Sequence, residues 1–341
     1  MAMTEAQLKD CIKSGGATLY VLYGAESYLV EQYARLIVRH TVEEGFDAFN
    51  LQRFDGQEVT VEQLEEAVEA LPLMTDRKCV QVRDYDVTSG DTQRLMRLVE
   101  QIPDTCVLVF WQMTVQPDSR KKGWKDFLAL AQKVGVVMEF EHKSVIDVAK
   151  MLVSGAKRRG AQLDVEDARY LVEQVGNDLN LLLCELDKLC AVGGEQITRH
   201  HIDAVCAKNL EAKVFDLSKA ILRHRQEEAY ELLHQLKIQR QEPVTVLGTL
   251  SNAYADLYRA KTATAGGVPT ENIAATYKSY KGKEWRLRNA ARDAARLSVP
   301  LLRDSLEILA RADQAVKFNY GMEWLLLEKT LAQLIARVQE G

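Results

Sequence analysis

The chain has 341 residues, 47% hydrophobic and 27% charged, with a net charge of −5, the composition of an ordinary globular protein. That length exceeds what one hydrophobic core holds, so two or three domains are expected. No apolar run reaches the roughly 18 residues of a membrane span, and the opening MAMTEAQLKDCIKSGG lacks the basic-then-apolar pattern of a secretion signal. A cytoplasmic protein with no membrane partner is the expectation.

The first 142 residues alternate between strand and helix patterns. Leu19-Tyr20-Val21-Leu22-Tyr23 has the content of a buried strand, Gly24 breaks it, and Leu29-Val30, Ala34 and Ile37-Val38 repeat at helical spacing. FNLQRFDG is a short strand. Thr60 is placed to cap VEQLEEAVEA, with Gln63 as its capping-box partner, and Pro72 stops that helix. The strand CVQV, the helix TQRLMRLVEQI, the very apolar strand CVLVFW, the helix WKDFLALAQKVG and the strand VVMEFE complete the series. Strands joined by helical crossovers predict a parallel sheet covered on both faces.

From Ser144 the strand patterns vanish. Three helices are expected, starting at Asp164, Asp178 and Thr198, the first two closed by Gly176 and Gly193-Gly194. Residues 211–341 read as helical almost throughout, with a break at Gly266-Gly267 and three further helices after it. The fold class is therefore α/β plus all-α, with domains at 1–142, 143–210 and 211–341.

Strand, glycine turn and helix is how a P-loop begins, but the chemistry is missing. The template laid on Gly24 puts Leu29 at the second glycine, Val30 at the phosphate-neutralising lysine and Glu31 at the magnesium-binding hydroxyl. Glu26 and Glu31 add negative charge where phosphates would lie. A nucleotide-binding site is not expected.

Other candidates are thin. Asp84 and Asp86 follow CVQV but do not form an adjacent pair, and a solvated strand end is the expectation. His200 and His201 are neighbours that point to different helix faces, with no third ligand at a supporting spacing, so they read as capping or surface residues. Six scattered cysteines without a CxxC pair read as buried, reduced thiols. No metal, cofactor or intrinsic catalytic site is expected.

Two places invite a partner. Leu71-Pro72-Leu73-Met74 sits at a corner between a helix and a strand, and its bulky residues either cover the core edge or form an exposed plug for a partner's pocket. Charge is uneven: residues 1–210 carry a net −9 and residues 211–341 a net +4. Seven of the latter's basic residues lie in Lys278–Arg296, either a phosphate-facing surface or a solvated helix face.

The segments LYVLYGAESYLVEQ, FNLQRFDG, ALPLMTDRKCVQVRD, NDLNLLLCELDKL, VFDLSKAIL and RADQAVKFNYG, in this order and spacing, resemble the delta-subunit family of the bacterial DNA polymerase III clamp loader. The resemblance implies an AAA+-like α/β domain with a degenerate P-loop, a small three-helix lid and a C-terminal helical collar. It implies a subunit that binds and opens the sliding clamp (beta) without hydrolysing ATP, alongside gamma/tau motor subunits and a delta prime stator. The alternative, an ATP-dependent AAA+ enzyme, is opposed by the lost P-loop. The family's clamp-binding plug falls on Leu73 and Met74, with Leu71 and Pro72 leading into it. An aromatic residue is frequent at the position of Met74, and methionine exchanges ring packing for adaptability.

Sister subunits commonly carry a four-cysteine zinc module and a Ser-Arg-Cys motif. Ser119-Arg120-Lys121 is similar only superficially, with Lys121 in place of the cysteine, and reads as a basic surface turn. Tyr320, near Lys317, lies where the resemblance suggests an aromatic close to the primer–template DNA junction. Base stacking and capping of a collar helix are the two roles open to it.

Overall fold

A computed structural model of the chain describes residues 3–118, 120–277, 280 and 285–340. They divide into two compact units, Met1–Lys143 and Ser144–Gly341.

The first unit is a five-stranded parallel sheet with helices on both faces. In chain order its elements are α1 (Glu5–Ser14), β1 (Leu19–Tyr23), α2 (Ser27–Thr41), α3 (Asp47–Asn50), β2 (Leu51–Asp55), α4 (Val61–Glu69), β3 (Lys78–Arg83), α5 (Thr92–Glu100), β4 (Cys106–Trp111), α6 (Lys122–Val134) and β5 (Val136–Glu139). The strand order is β2-β3-β4-β1-β5, every neighbour pair parallel. Central strands β1, β3 and β4 are buried along nearly their whole length; β1 and β4 accordingly read as continuous apolar runs, whereas β3 also buries Lys78 and Gln81. On one face, Val21, Val80, Val82, Leu108 and Phe110 pack with Leu64 and Val68 of α4, Leu95 of α5 and Trp124 and Phe127 of α6. Thr60 and Gln63 form the expected capping box on α4, which ends at Glu69, before Pro72.

The second unit is mainly helical. The three expected helices, α8 (Val165–Val175), α9 (Leu179–Val192) and α10 (Arg199–Val205), are preceded by a fourth, α7 (Val145–Arg158), capped by Ser144. Strand pairing does not stop at Ser144 as expected. The dipeptides β6 (Gln162–Leu163) and β7 (Gln196–Ile197) form a short parallel ladder, too brief to leave a periodicity. There follow α11 (Leu210–Leu222), α12 (Gln226–Ile238), α13 (Pro243–Ala265), α14 (Thr270–Thr276), α15 (Trp285–Asp293), α16 (Val299–Phe318) and α17 (Glu323–Glu340). Four helices rather than three therefore follow the Gly266-Gly267 break among the described residues. Val214, Leu217, Leu250, Tyr254, Leu302 and Leu334 lie in their common core.

No helix among the described residues is long and apolar enough to cross a membrane. Cys79, Cys106 and Cys206 are buried as expected, but Cys184 is exposed on the outer face of α9. All six cysteines are free thiols.

Candidate functional site

The two edges of the parallel sheet carry the two features singled out in the sequence. In open α/β sheets ligands bind beyond the carboxyl ends of the strands, where the chain leaves β1 at Gly24. At Gly24 itself that space is filled by protein. Gly24 has φ +132°, and a Cβ built on it would lie 2.3 Å from the carbonyl oxygen of Phe140. The segment after β5 locks against the turn: the Phe140 amide donates to Tyr23 O at 2.8 Å, and the Glu26 amide donates to Phe140 O at 2.9 Å. The Gly24 amide donates to Gln116 Oε1 at 3.1 Å. Amides that a phosphate-binding turn would direct at its ligand are here spent on the protein itself.

The side chains repeat this pattern. Leu29 and Val30 are buried in the core, so the position of a P-loop lysine is occupied by packing. Glu31 pairs with Arg35 one helical turn on, at 2.5 Å. Glu26 is buried, with His142 Nδ1 at 3.6 Å from its carboxylate, and Phe140 stacks on Tyr33 of α2 at 5.1 Å between ring centroids.

Asp84 corrects the expectation of a solvated strand end. It is buried, adopts φ +55° just beyond β3, and its Oδ1 accepts three consecutive amides, from Met113 and Thr114 at 2.6 Å and Val115 at 3.1 Å. Burial alone would raise its pKa, but these three donors together hold the carboxyl below the usual aspartate range. Asp84 thus ties the end of β3 to the segment after β4. Asp86 accepts from the Thr88 amide and hydroxyl.

The opposite edge, where strands begin, is built to expose rather than to fill. Between α4 and β3 the chain turns a corner on which Leu71 is 82% exposed, Leu73 46% and Met74 84%, with Pro72 partly covered. Met74 has φ +57°, the left-handed region that a side chain with a Cβ enters at a cost of about 1 kcal/mol. Residues 71–77 make no backbone–backbone hydrogen bond among those described. Polar side chains supply what the backbone lacks. The Asn50 amide, itself buried, accepts from Leu73 N at 2.7 Å and donates to Leu73 O and Thr75 Oγ1, both at 2.9 Å. Thr75 Oγ1 donates to Arg77 O, and Arg77 Nη1 donates to Gly15 O at 2.9 Å.

Lys78, buried at the start of β3, donates its Nζ to Ala67 O in the last turn of α4 at 2.5 Å. Burial lowers its pKa. The ammonium satisfies a free carbonyl at the negative end of the helix and joins the two flanks of the corner. Neither Asn50 nor Lys78 had a sequence signal. Each acts on residues brought near by the fold, and both types are ordinarily surface residues.

In the second unit, Tyr320 is 89% exposed on the connection between α16 and α17, beside exposed Phe318 and Met322. Capping there belongs to other residues: Asn319 Nδ2 donates to Ala315 O, and the Gly321 amide donates to Glu323 Oε1. Lys317 pairs with Asp313 at 2.6 Å. Of the basic run Lys278–Arg296, residues 278, 279 and 281–284 lie outside the described residues. Arg286, in α15, is turned inward and pairs with the buried Asp256 at 2.9 Å, so at least this cation serves the interior. Arg120 pairs with Asp118 at 2.9 Å, as a basic surface turn would, while Ser119 lies outside the described residues. His201 Nδ1 accepts from the Thr198 amide at 3.2 Å, a capping role for that histidine. No group of three potential metal ligands occurs among the described residues.

Comparison with known proteins accounts for both units. The family described as DNA polymerase III, delta subunit, matches residues 20–140, and the family described as DNA polymerase III delta subunit, C-terminal domain, matches residues 211–334. The DNA polymerase III subunit delta of Bacillus subtilis is 27% identical over 334 residues, covering 95% of this chain and 94% of that protein. Among solved structures, the Bacillus subtilis DNA clamp loader delta protein aligns with 26% identity and a TM-score of 0.56, over 97% of this chain and 99% of that one. The architecture is thus an AAA+-like α/β domain followed by a helical C-terminal part. With both ends of the chain matched in order to one subunit, it belongs to the bacterial DNA polymerase III delta-subunit family, the clamp-loader delta subunits of the replicative holoenzyme.

Proposed function

We propose that this chain binds the sliding clamp through the Leu71–Met74 corner and opens it without hydrolysing ATP itself. The observation that carries this reading is the pairing of Leu73 and Met74, bulky and exposed, on a corner held from beneath by polar side chains. Large apolar side chains clustered in water at one corner, Leu71 with Leu73 and Met74, point to a partner's pocket. Burying both side chains contributes roughly 3–6 kcal/mol, whereas a micromolar complex needs about 8 kcal/mol. Contacts from α4, whose Gln63, Glu66 and Glu69 are exposed, supply the remainder.

Opening needs no chemical step. A rigid α/β domain that binds a distorted clamp better than a closed one shifts the clamp toward the open form by that difference in affinity. The filled turn at Gly24 supports a subunit that leaves ATP to gamma/tau motor neighbours, with a delta prime subunit as stator. The chain then has an α/β domain at 1–142, a lid at 143–210 and a collar at 211–341. On the collar, Tyr320 stacks near the primer–template junction, with Lys317 beside it.

Retention of the cognate clamp by the wild type and by a folded Leu73→Ser, Met74→Ser double variant tests the plug. Equal retention by the two would sink it. Titration of the isolated chain with magnesium-ATP tests the second half, and saturable tight binding would return the ATPase alternative.

A further inference from the structure

We infer that Asn50 is the positioning residue of the clamp-binding corner, acting with Thr75 to hold Leu73 and Met74 in the conformation that enters the partner. The inference rests on the plug reading above and adds to it the residue that makes the plug rigid.

The argument is an account of where the corner's backbone groups go. A turn of this length normally closes through its own amides and carbonyls. Residues 71–77 make no such bond among those described. Leu73 instead gives its amide to Asn50 Oδ1 and receives Asn50 Nδ2 at its carbonyl. One carboxamide therefore mimics a paired strand, fixing Leu73 from both sides. Its second N–H reaches Thr75 Oγ1 and so brackets Met74 between two anchored residues. Met74 at φ +57° is the consequence: with both neighbours tied down, its side chain is forced outward. Asn50 is well chosen for this. It is 1% exposed, so water does not compete for its amide, and it lies at the end of α3 where β2 begins, anchored to the sheet. Both ends of the amide are needed, because an aspartate would repel the Leu73 carbonyl and an alanine would leave both groups of Leu73 unsatisfied.

Preorganisation is what such a device gives. A corner free to sample other conformations loses that freedom on binding, and ordering one or two residues costs on the order of tenfold in affinity or more. Asn50 never touches the clamp and acts only through Leu73 and Met74.

The test uses the full-length chain and its cognate sliding clamp, with affinity from surface plasmon resonance and amide exchange of residues 71–77 by mass spectrometry. Asn50→Ala is expected to weaken binding about tenfold or more and to speed exchange in 71–77, with exchange in β1, β3 and β4 unchanged. Thr75→Val, a gentler variant that keeps its shape, is expected to weaken binding about threefold, and decides the matter if Asn50→Ala does not fold. In a Met74→Ala background the effect of Asn50→Ala should shrink, since the two act through one element. Wild-type affinity in Asn50→Ala and Thr75→Val, alongside lost binding by Leu73→Ser, Met74→Ser, overturns the positioning role and leaves the plug intact. An undiminished Asn50→Ala effect in the Met74→Ala background overturns it as well, assigning the loss to general destabilisation. Full binding by the Leu73→Ser, Met74→Ser variant removes the plug, and the positioning role with it.

Discussion

The Gly24 turn and the Leu71–Met74 corner lie at opposite edges of one parallel sheet and are built by opposite rules. At Gly24 the backbone is bonded to Phe140 and Gln116, the helix behind it buries Leu29 and Val30, and a Cβ would meet the Phe140 backbone. At the corner the backbone makes no bonds to other backbone, polar side chains hold it from below, and apolar groups face solvent. The first arrangement packs protein where a P-loop would hold phosphate. The second leaves apolar side chains in solvent, which is what the proposed clamp contact requires. Substitutions at the turn should therefore be read in stability, and substitutions at the corner in binding.

The largest expected effect lies at the turn. Gly24→Val sets a Cβ against the Phe140 backbone at a φ that valine does not adopt, and should cost about 4 kcal/mol in urea unfolding. A loss below about 1 kcal/mol would mean that the turn is not filled as described. The mirror experiment, Leu73→Ser with Met74→Ser, should weaken clamp binding about a hundredfold, or about 2.7 kcal/mol. Its unfolding free energy should stay within about 0.5 kcal/mol of wild type. A large stability loss there would erase the contrast between the edges.

A third variant addresses what holds the filled edge. The carboxyl of Asp84 is depressed by its three amide donors, which outweigh burial, so the unfolded chain takes up its proton first as pH falls. Its stabilisation is therefore complete above the ordinary aspartate pKa near about 4 and fades as pH drops through the lower folded value. Asp84→Asn should cost about 2 kcal/mol at pH 7, and the difference from wild type should narrow below about pH 4 in acid titrations followed by circular dichroism. A constant difference across that range would exclude the ionised carboxylate as the cause. The smallest effect sharpens the comparison most. Met74→Gly relieves a left-handed residue and should raise stability by about 1 kcal/mol while weakening the clamp complex. Stability and function would then move in opposite directions at one position.

Much of this was legible in the order of residues. The parallel sheet followed from apolar runs separated by helical periods, and the emptied P-loop from the fixed places of Leu29, Val30 and Glu31 behind Gly24. Leu73 and Met74 drew notice as apolar residues where turn chemistry was due. What stayed hidden depended on distance along the chain. Asn50 meets Leu73 only after two strands pair, and Asp84 meets residues 113–115 only across the sheet. Lys78 reads as a surface lysine until α4 is folded above it. A helix or strand announces itself through period and caps, whereas a polar side chain that serves a remote backbone leaves no local pattern.

The place where the corner joins the sheet has a mechanical consequence. Met74 is followed within four residues by β3, an inner strand bonded to β2 on one side and β4 on the other. A pull on the tip directed along β3 is carried along the strand axis, so the ladder bonds on both flanks share the load at once instead of parting in sequence as in a peeled edge strand. The spacing of parallel ladder bonds is even, which spreads the load uniformly. On the proposed clamp-opening reading, a corner rooted in this way passes load into the sheet without peeling it apart.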